Sequence, residues 1–98
     1  MYEILFTSQA ERYFKKIKEK PLKEAYKNAL TKLGENPYVG HPKVGDLAGV
    51  YGFDIKYKSI NYEIAYTISE VEGKKILVLL AGTRENFYDQ LKRYAKQL

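Results

Sequence analysis

Cysteine is absent from this 98-residue chain, and histidine and methionine occur once each. Without a thiol there is no disulfide and no cysteine nucleophile, which is compatible with a reducing compartment. One histidine and no cysteine leave a Cys/His zinc site without its ligands, so neither metal nor cofactor is expected. No apolar run approaches the roughly 20 residues that cross a bilayer, so no membrane partner is expected. The opening Met1-Tyr-Glu-Ile-Leu-Phe6 is too short and too acidic for a secretory signal, which predicts a soluble, cytoplasmic protein. Repeats, low-complexity tracts and linkers are missing too, and 98 residues leave room for one hydrophobic core. A single domain over 1–98 follows. Acids are fewer than bases, 12 against 17, for a formal net charge of +5. That excess points towards RNA, DNA or an acidic protein partner.

What the chain does have is tyrosine, ten in all. Each ring buries much area at low entropic cost while its hydroxyl needs a partner or water. Several lie in two alternating runs, which predict strands with one buried face. The buried set is Tyr51, Phe53, Ile55 and Tyr57, then Tyr62, Ile64, Tyr66 and Ile68. The free face carries Asp54, Lys56, Lys58, Glu63 and Thr67, a charged surface on a rigid sheet. Ser59-Ile60-Asn61 and Glu72-Gly73-Lys74 read as the hairpin turns. The run from Ile76 to Ala81 lacks alternation, as a central strand covered on both faces does.

Upstream, Tyr2 to Phe6 reads as a short strand. Ser8 followed by Glu11 forms a capping box that opens a helix. Pro21 marks the start of a second helix, and Gly34 is placed to cap its end. The two should form an antiparallel hairpin. A Gly/Pro-rich loop over Asn36 to Asp46 is long enough to carry function. Phe87, Leu91, Tyr94 and Leu98 recur at helical spacing and predict a closing amphipathic helix. The order gives an α+β fold: strand, two-helix hairpin, three-stranded antiparallel meander and C-terminal helix.

With these residues in view, the chain resembles the RelE/ParE superfamily of toxins from type II toxin–antitoxin pairs, and within it the RelE-like branch. The carrying features are the basic helical hairpin, Asp46-Leu-Ala-Gly49, Ile55-Lys-Tyr-Lys58, Tyr62-Glu-Ile-Ala-Tyr66, and Gly82-Thr-Arg-Glu85 before a helix with Lys92-Arg93. The resemblance runs over essentially the whole length. It implies a ribosome-dependent mRNA endonuclease, with a ParE-like inhibitor of DNA gyrase as the alternative. It also implies a cognate antitoxin protein, messenger RNA on the ribosome and ribosomal RNA as partners, and a toxin–antitoxin hetero-oligomer.

The resemblance further implies basic residues on the sheet face at Lys56 and Lys58 and an arginine after the last strand at Arg84. A family tyrosine falls near Tyr88. Glu63 and Asp54 stand where many relatives carry arginine and lysine, and they weaken the positive field. Metal-free RNA cleavage needs a ribose 2′-OH aligned on its phosphate, a proton acceptor, and cations for the developing charge. Arg84 suits phosphate contact through its planar fork, or pairs with Glu85 or Asp54. Lys56 and Lys58 form a cation pair whose mutual repulsion favours a neutral, basic lysine, or are solvated strand residues. His41 is an acid/base candidate by its ordinary pKa, or a surface residue of the loop. Tyr88 stacks on an unpaired base, or packs on the sheet. Glu63 is a general base on the concave face or, the preferred reading, a salt-bridge partner of Lys56. Lys15, Lys16, Lys18, Lys23 and Lys27, on the outer helix faces, are candidates for gripping ribosomal RNA phosphates.

Overall fold

The structure is a computed structural model, and it describes residues 1–85 and 87–96. Its first half turns on Thr7. This hydroxyl accepts from the Ala10 amide at 3.1 Å and donates to the Leu79 carbonyl at 2.8 Å. The cap is therefore Thr7 and not the expected Ser8, because the chain is still extended at Thr7 (φ −68°, ψ 161°) as it leaves the first strand. Strand β1 (Glu3–Phe6) thus passes into α1 (Ser8–Lys16) with one orphan amide satisfied and the junction tied to the sheet.

Helix α2 (Lys20–Glu35) begins with Pro21 in its first turn, where the missing N–H costs nothing. It does not stop at Gly34. The helix runs one residue further, and the Gly34 carbonyl accepts the Tyr2 amide at 2.9 Å, joining the helix end to the start of β1. Four more strands follow: β2 (His41–Pro42), β3 (Tyr51–Tyr57), β4 (Ile60–Ser69) and β5 (Lys75–Thr83). They form one sheet in the order β1-β5-β4-β3-β2, with β1 parallel to β5 and every other pair antiparallel. Helix α3 (Phe87–Lys96) closes the described chain, and the expected helical contact at Leu98 lies outside the described residues.

The expected alternation holds on the helical side. Ile55, Tyr62, Ile64 and Tyr66 pack with Ala10, Leu22, Tyr26 and Leu33 from the hairpin, while Tyr51, Phe53, Tyr57 and Ile68 join them partly buried. Burying a side chain such as Ile64 stabilises by about 1.5–3 kcal/mol, so this layer dominates the fold.

The opposite face is not free along its length. Leu47, Val50, Ala65, Leu79, Leu80, Phe87 and Leu91 form a second core beneath α3 and the single turn Gly45–Leu47. The unalternating run of β5 is explained by a bulge. Ala65 pairs with Leu80 but Tyr66 pairs with Val78, which leaves Leu79 as an extra residue and turns two consecutive leucines to α3.

The first hairpin turn is Lys58-Ser59, with Ile60 and Asn61 already in β4. Both turn residues have positive φ, 50° and 64°. A two-residue turn of this hand matches the twist of its strands, so the tight register wins over the local preference of Lys and Ser. Among the described residues no helix is long and apolar enough to cross a membrane.

Candidate active site

On the α3 side of the sheet, side chains from separate strands meet around one carboxylate. The ladder sets their places. His41 pairs with Gly52, Asp54 with Glu63, and Glu63 with Gly82. Alternation then puts His41, Lys43, Gly52, Asp54, Lys56, Asn61 and Glu63 on one face. Next along β4 on that face is Ala65, already beneath α3. Glu63 lies just beyond that cover, and its side chain is 4% exposed. The expected open, charged position is thus a buried one.

A buried carboxylate is costly unless charges or donors reach it. Lys43 Nζ lies 2.5 Å from Glu63 Oε2, and the Lys43 side chain is itself only 10% exposed. His41 Nε2 is 3.8 Å from the same oxygen, and Arg84 Nε is 4.0 Å from Oε1. Arg84 Nη1 also reaches Asp54 Oδ2 at 4.0 Å. Both exposed partners keep much of their surface, 48% for His41 and 57% for Arg84. The expected Lys56–Glu63 pair is replaced by Lys43–Glu63, because β2 delivers Lys43 directly over the acid. The Lys43 amide bonds the Val50 carbonyl at 2.8 Å and continues the β2–β3 ladder, which fixes that delivery.

Gly52 makes the arrangement possible. A Cβ there would collide with Glu63 Oε2 and lie 2.9 Å from His41 Nε2 and 3.1 Å from Lys43 Cε. Gly40 makes a separate close approach, to the core on the helical side: a Cβ there would strike the Tyr66 hydroxyl and lie 2.7 Å from the Gly52 carbonyl.

Arg84 and Lys56 flank Asn61: the Arg84 amide donates to its carbonyl at 2.8 Å, and Lys56 is its ladder partner. Tyr88 stands exposed at the start of α3, its ring 5.8 Å from Lys43 Nζ and 4.9 Å from Lys92 Nζ. His41, Lys56, Arg84 and Tyr88 are therefore brought to one side of the sheet.

Lys58 is not. It sits in the positive-φ turn, and its ammonium lies 3.3 Å from Glu19 at the corner of the helical hairpin. The hydrogen bond to Glu19, then the contact with Tyr57, holds its pKa above the ordinary lysine value. That is the reverse of the lowering that repulsion from Lys56 would give. The third cation of the cluster is Lys43, from the loop.

His41, Asp54 and Glu63 also bring potential ligand atoms within 4.8 Å of one another. A divalent ion there would have to displace Lys43 from Glu63 and sit beside the Arg84 guanidinium. The donor set fits an ion-pair network better than a metal.

The helix lysines lie across the sheet from this cluster. Lys15, Lys23 and Lys27 edge a groove floored by Phe6, Phe14, Tyr26 and Leu30, and Lys15 also pairs with Glu11 at 3.6 Å. Lys16 and Lys18 border a smaller depression with Tyr13 and Leu22.

A helical hairpin on one face of such a mixed sheet and a closing helix on the other make a RelE/ParE-like fold. The chain belongs to the ParE-like toxins of type II bacterial toxin–antitoxin systems, whose family model matches residues 4–92. It is also similar to a chain of the solved toxin–antitoxin complex RelBE2 from Mycobacterium tuberculosis. The two are 26% identical with a TM-score of 0.65, over 85% of this chain and 98% of that one. Among curated proteins none matches the sequence.

Proposed function

We propose that this toxin is a ribosome-dependent mRNA endonuclease, held inactive by a cognate antitoxin in a hetero-oligomer. The observation that carries the reading is the meeting of His41, Arg84, Tyr88 and Lys56 on one side of a rigid sheet.

Cleavage proceeds by attack of a ribose 2′-OH on the adjacent phosphorus. A P–O2′ bond forms, the P–O5′ bond breaks, and a 2′,3′-cyclic phosphate and a 5′-hydroxyl result. His41 accepts the 2′-OH proton, and its half-exposed ring leaves room for that approach. Arg84 faces the phosphoryl oxygens as charge builds on them, with Lys56 beside it. The proton for the leaving 5′-oxygen comes from Lys56 or water. Tyr88 stacks on an unpaired base of the message. No metal is required for any of these steps.

The helix lysines Lys15, Lys16, Lys18, Lys23 and Lys27 face away from this site, which suits phosphate contacts with ribosomal RNA while the message lies on the sheet. The apolar floor between Lys15, Lys23 and Lys27 suits an acidic, amphipathic antitoxin segment by charge.

A second reading has its own support. Asp54 and Glu63 lie beside Arg84 and offset much of the field a nuclease would use, and the matching family is named ParE-like. Inhibition of DNA gyrase without RNA cleavage fits those two facts. Purified protein added to a translating extract separates the readings. Message ends mapped to ribosome-occupied codons favour the nuclease. Intact message, with loss of gyrase supercoiling in a parallel assay, favours the inhibitor.

A further inference from the structure

Among the described residues Glu63 is the buried acid, and it takes no part in the chemistry above. Its two oxygens face different partners. Oε2 is turned to Lys43 at 2.5 Å and His41 at 3.8 Å, and Oε1 to Arg84 at 4.0 Å. Lys43 is almost enclosed, so it offsets the charge of the acid without offering much surface to a substrate. His41 and Arg84 stay open, on opposite oxygens.

Stability alone gives little reason for such a pair. Well-packed apolar residues of similar size in place of a buried ion pair are often neutral or stabilising. Gly52, too, leaves a strand interior without a side chain so that the carboxylate has room. Two local sacrifices serve the same acid.

We propose that Glu63 is the positioning residue of the site: it holds the proton acceptor His41 and the phosphate cation Arg84 on its two oxygens, with Lys43 as its counter-ion. The assignment rests on the nuclease reading. A phosphodiester lying over the carboxylate then meets His41 on one side and Arg84 on the other, with Asp54 steadying the guanidinium from β3. Glu63 itself touches no reacting atom.

The double variant Lys43→Met/Glu63→Met tests this, because it removes both buried charges at once and strands neither. It should melt at or above the wild-type temperature. With ribosomes programmed on a defined message, kcat should fall about 100-fold while KM stays within about threefold, the signature of lost alignment. His41 is the only histidine, so its ring signals are unambiguous. The nuclear Overhauser contacts from its ring to the Gly52 α-protons should disappear. A folded double variant with wild-type kcat, or with those contacts intact, overturns the assignment while leaving the nuclease reading in place. If the double variant does not fold, Glu63→Gln carries the same two outcomes. Wild-type protein that cuts no message removes the nuclease reading, and this assignment with it.

Discussion

The Glu63 carboxylate occupies the space that a Cβ on Gly52 would take. The two residues lie on adjacent antiparallel strands, two residues out of register and on the same face, with His41 directly across from Gly52. Any side chain at 52 must push the acid off Lys43, move His41 away, or part β3 from β2. Gly52→Ala should therefore destabilise the protein by about 1–3 kcal/mol, through overpacking and a loosened buried charge. Urea unfolding measures this. A Gly52→Ala protein as stable as wild type, with the His41 signals unmoved, would show the close approach to be unimportant.

Arg84 is held by its backbone bond to Asn61 and by two acids at 4.0 Å, so its loss should leave the sheet intact. In the nuclease reading it is the cation nearest the developing phosphoryl charge. Arg84→Ala should lower message cleavage by about 100- to 1,000-fold, the range seen when one preorganised charge-stabilising group is removed. The circular dichroism spectrum should not change. Full cleavage by a folded Arg84→Ala protein would take the arginine out of the site.

How much of this was legible beforehand depends on whether the signal was local. The alternation of Tyr51–Tyr57 and Tyr62–Ile68 is a pattern within each strand, and it gave the sheet and its helical face correctly. Arg84 and Tyr88 were singled out by the family resemblance and not by any local pattern. Lys43 was overlooked because it lies in a loop rich in Gly and Pro, where no periodicity exists to aim a side chain. Only the pairing of His41 with Gly52 turns that loop into a strand, and such pairing is a long-range event. The burial of Glu63 was hidden for the same reason, since its cover comes from residues twenty positions away. One clue was present: a glycine at 52 amid bulky alternating residues signals close approach of another group. Lys58 was misplaced by a local cause. The hairpin turn lies one residue earlier than its composition suggested, and this carries Lys58 off the strand and towards Glu19.

That turn makes a prediction of its own. Lys58 and Ser59 both occupy the left-handed region, which disfavours residues with a Cβ. Asn-Gly is the pair such a two-residue hairpin prefers. Lys58→Asn/Ser59→Gly should raise stability by about 1 kcal/mol, even after loss of the exposed Glu19 pair, which is worth little. Thermal melting is the check. The same variant bears on function, because Lys58 lies away from the Glu63 cluster: its effect on cleavage should be far smaller than that of Arg84→Ala. An equally large loss in a stable variant would return Lys58 to the site.

The tyrosines predict how stability responds to alkali. Burial pushes the pKa of Tyr26 well above the usual tyrosine value, and its hydrogen bond with Tyr13 adds to this; burial also raises Tyr13. Tyr66, whose hydroxyl donates to the Pro37 carbonyl at 2.6 Å, is pushed up to about 12, again chiefly by burial. These groups are neutral when protonated, so the fold holds their protons more tightly than the unfolded chain does. Their contribution is complete below the unfolded value near pH 10 and is lost as pH rises through the folded values. Between about pH 10 and 12, stability should fall by up to about 1.4 kcal/mol per pH unit for each tyrosine involved. Tyr26→Phe should make that decline shallower, at a cost of about 1 kcal/mol at neutral pH for the lost hydroxyl pair. Urea midpoints followed from pH 7 to pH 11 decide the matter: a decline equally steep with and without the Tyr26 hydroxyl would mean that this buried pair does not set the alkaline limit.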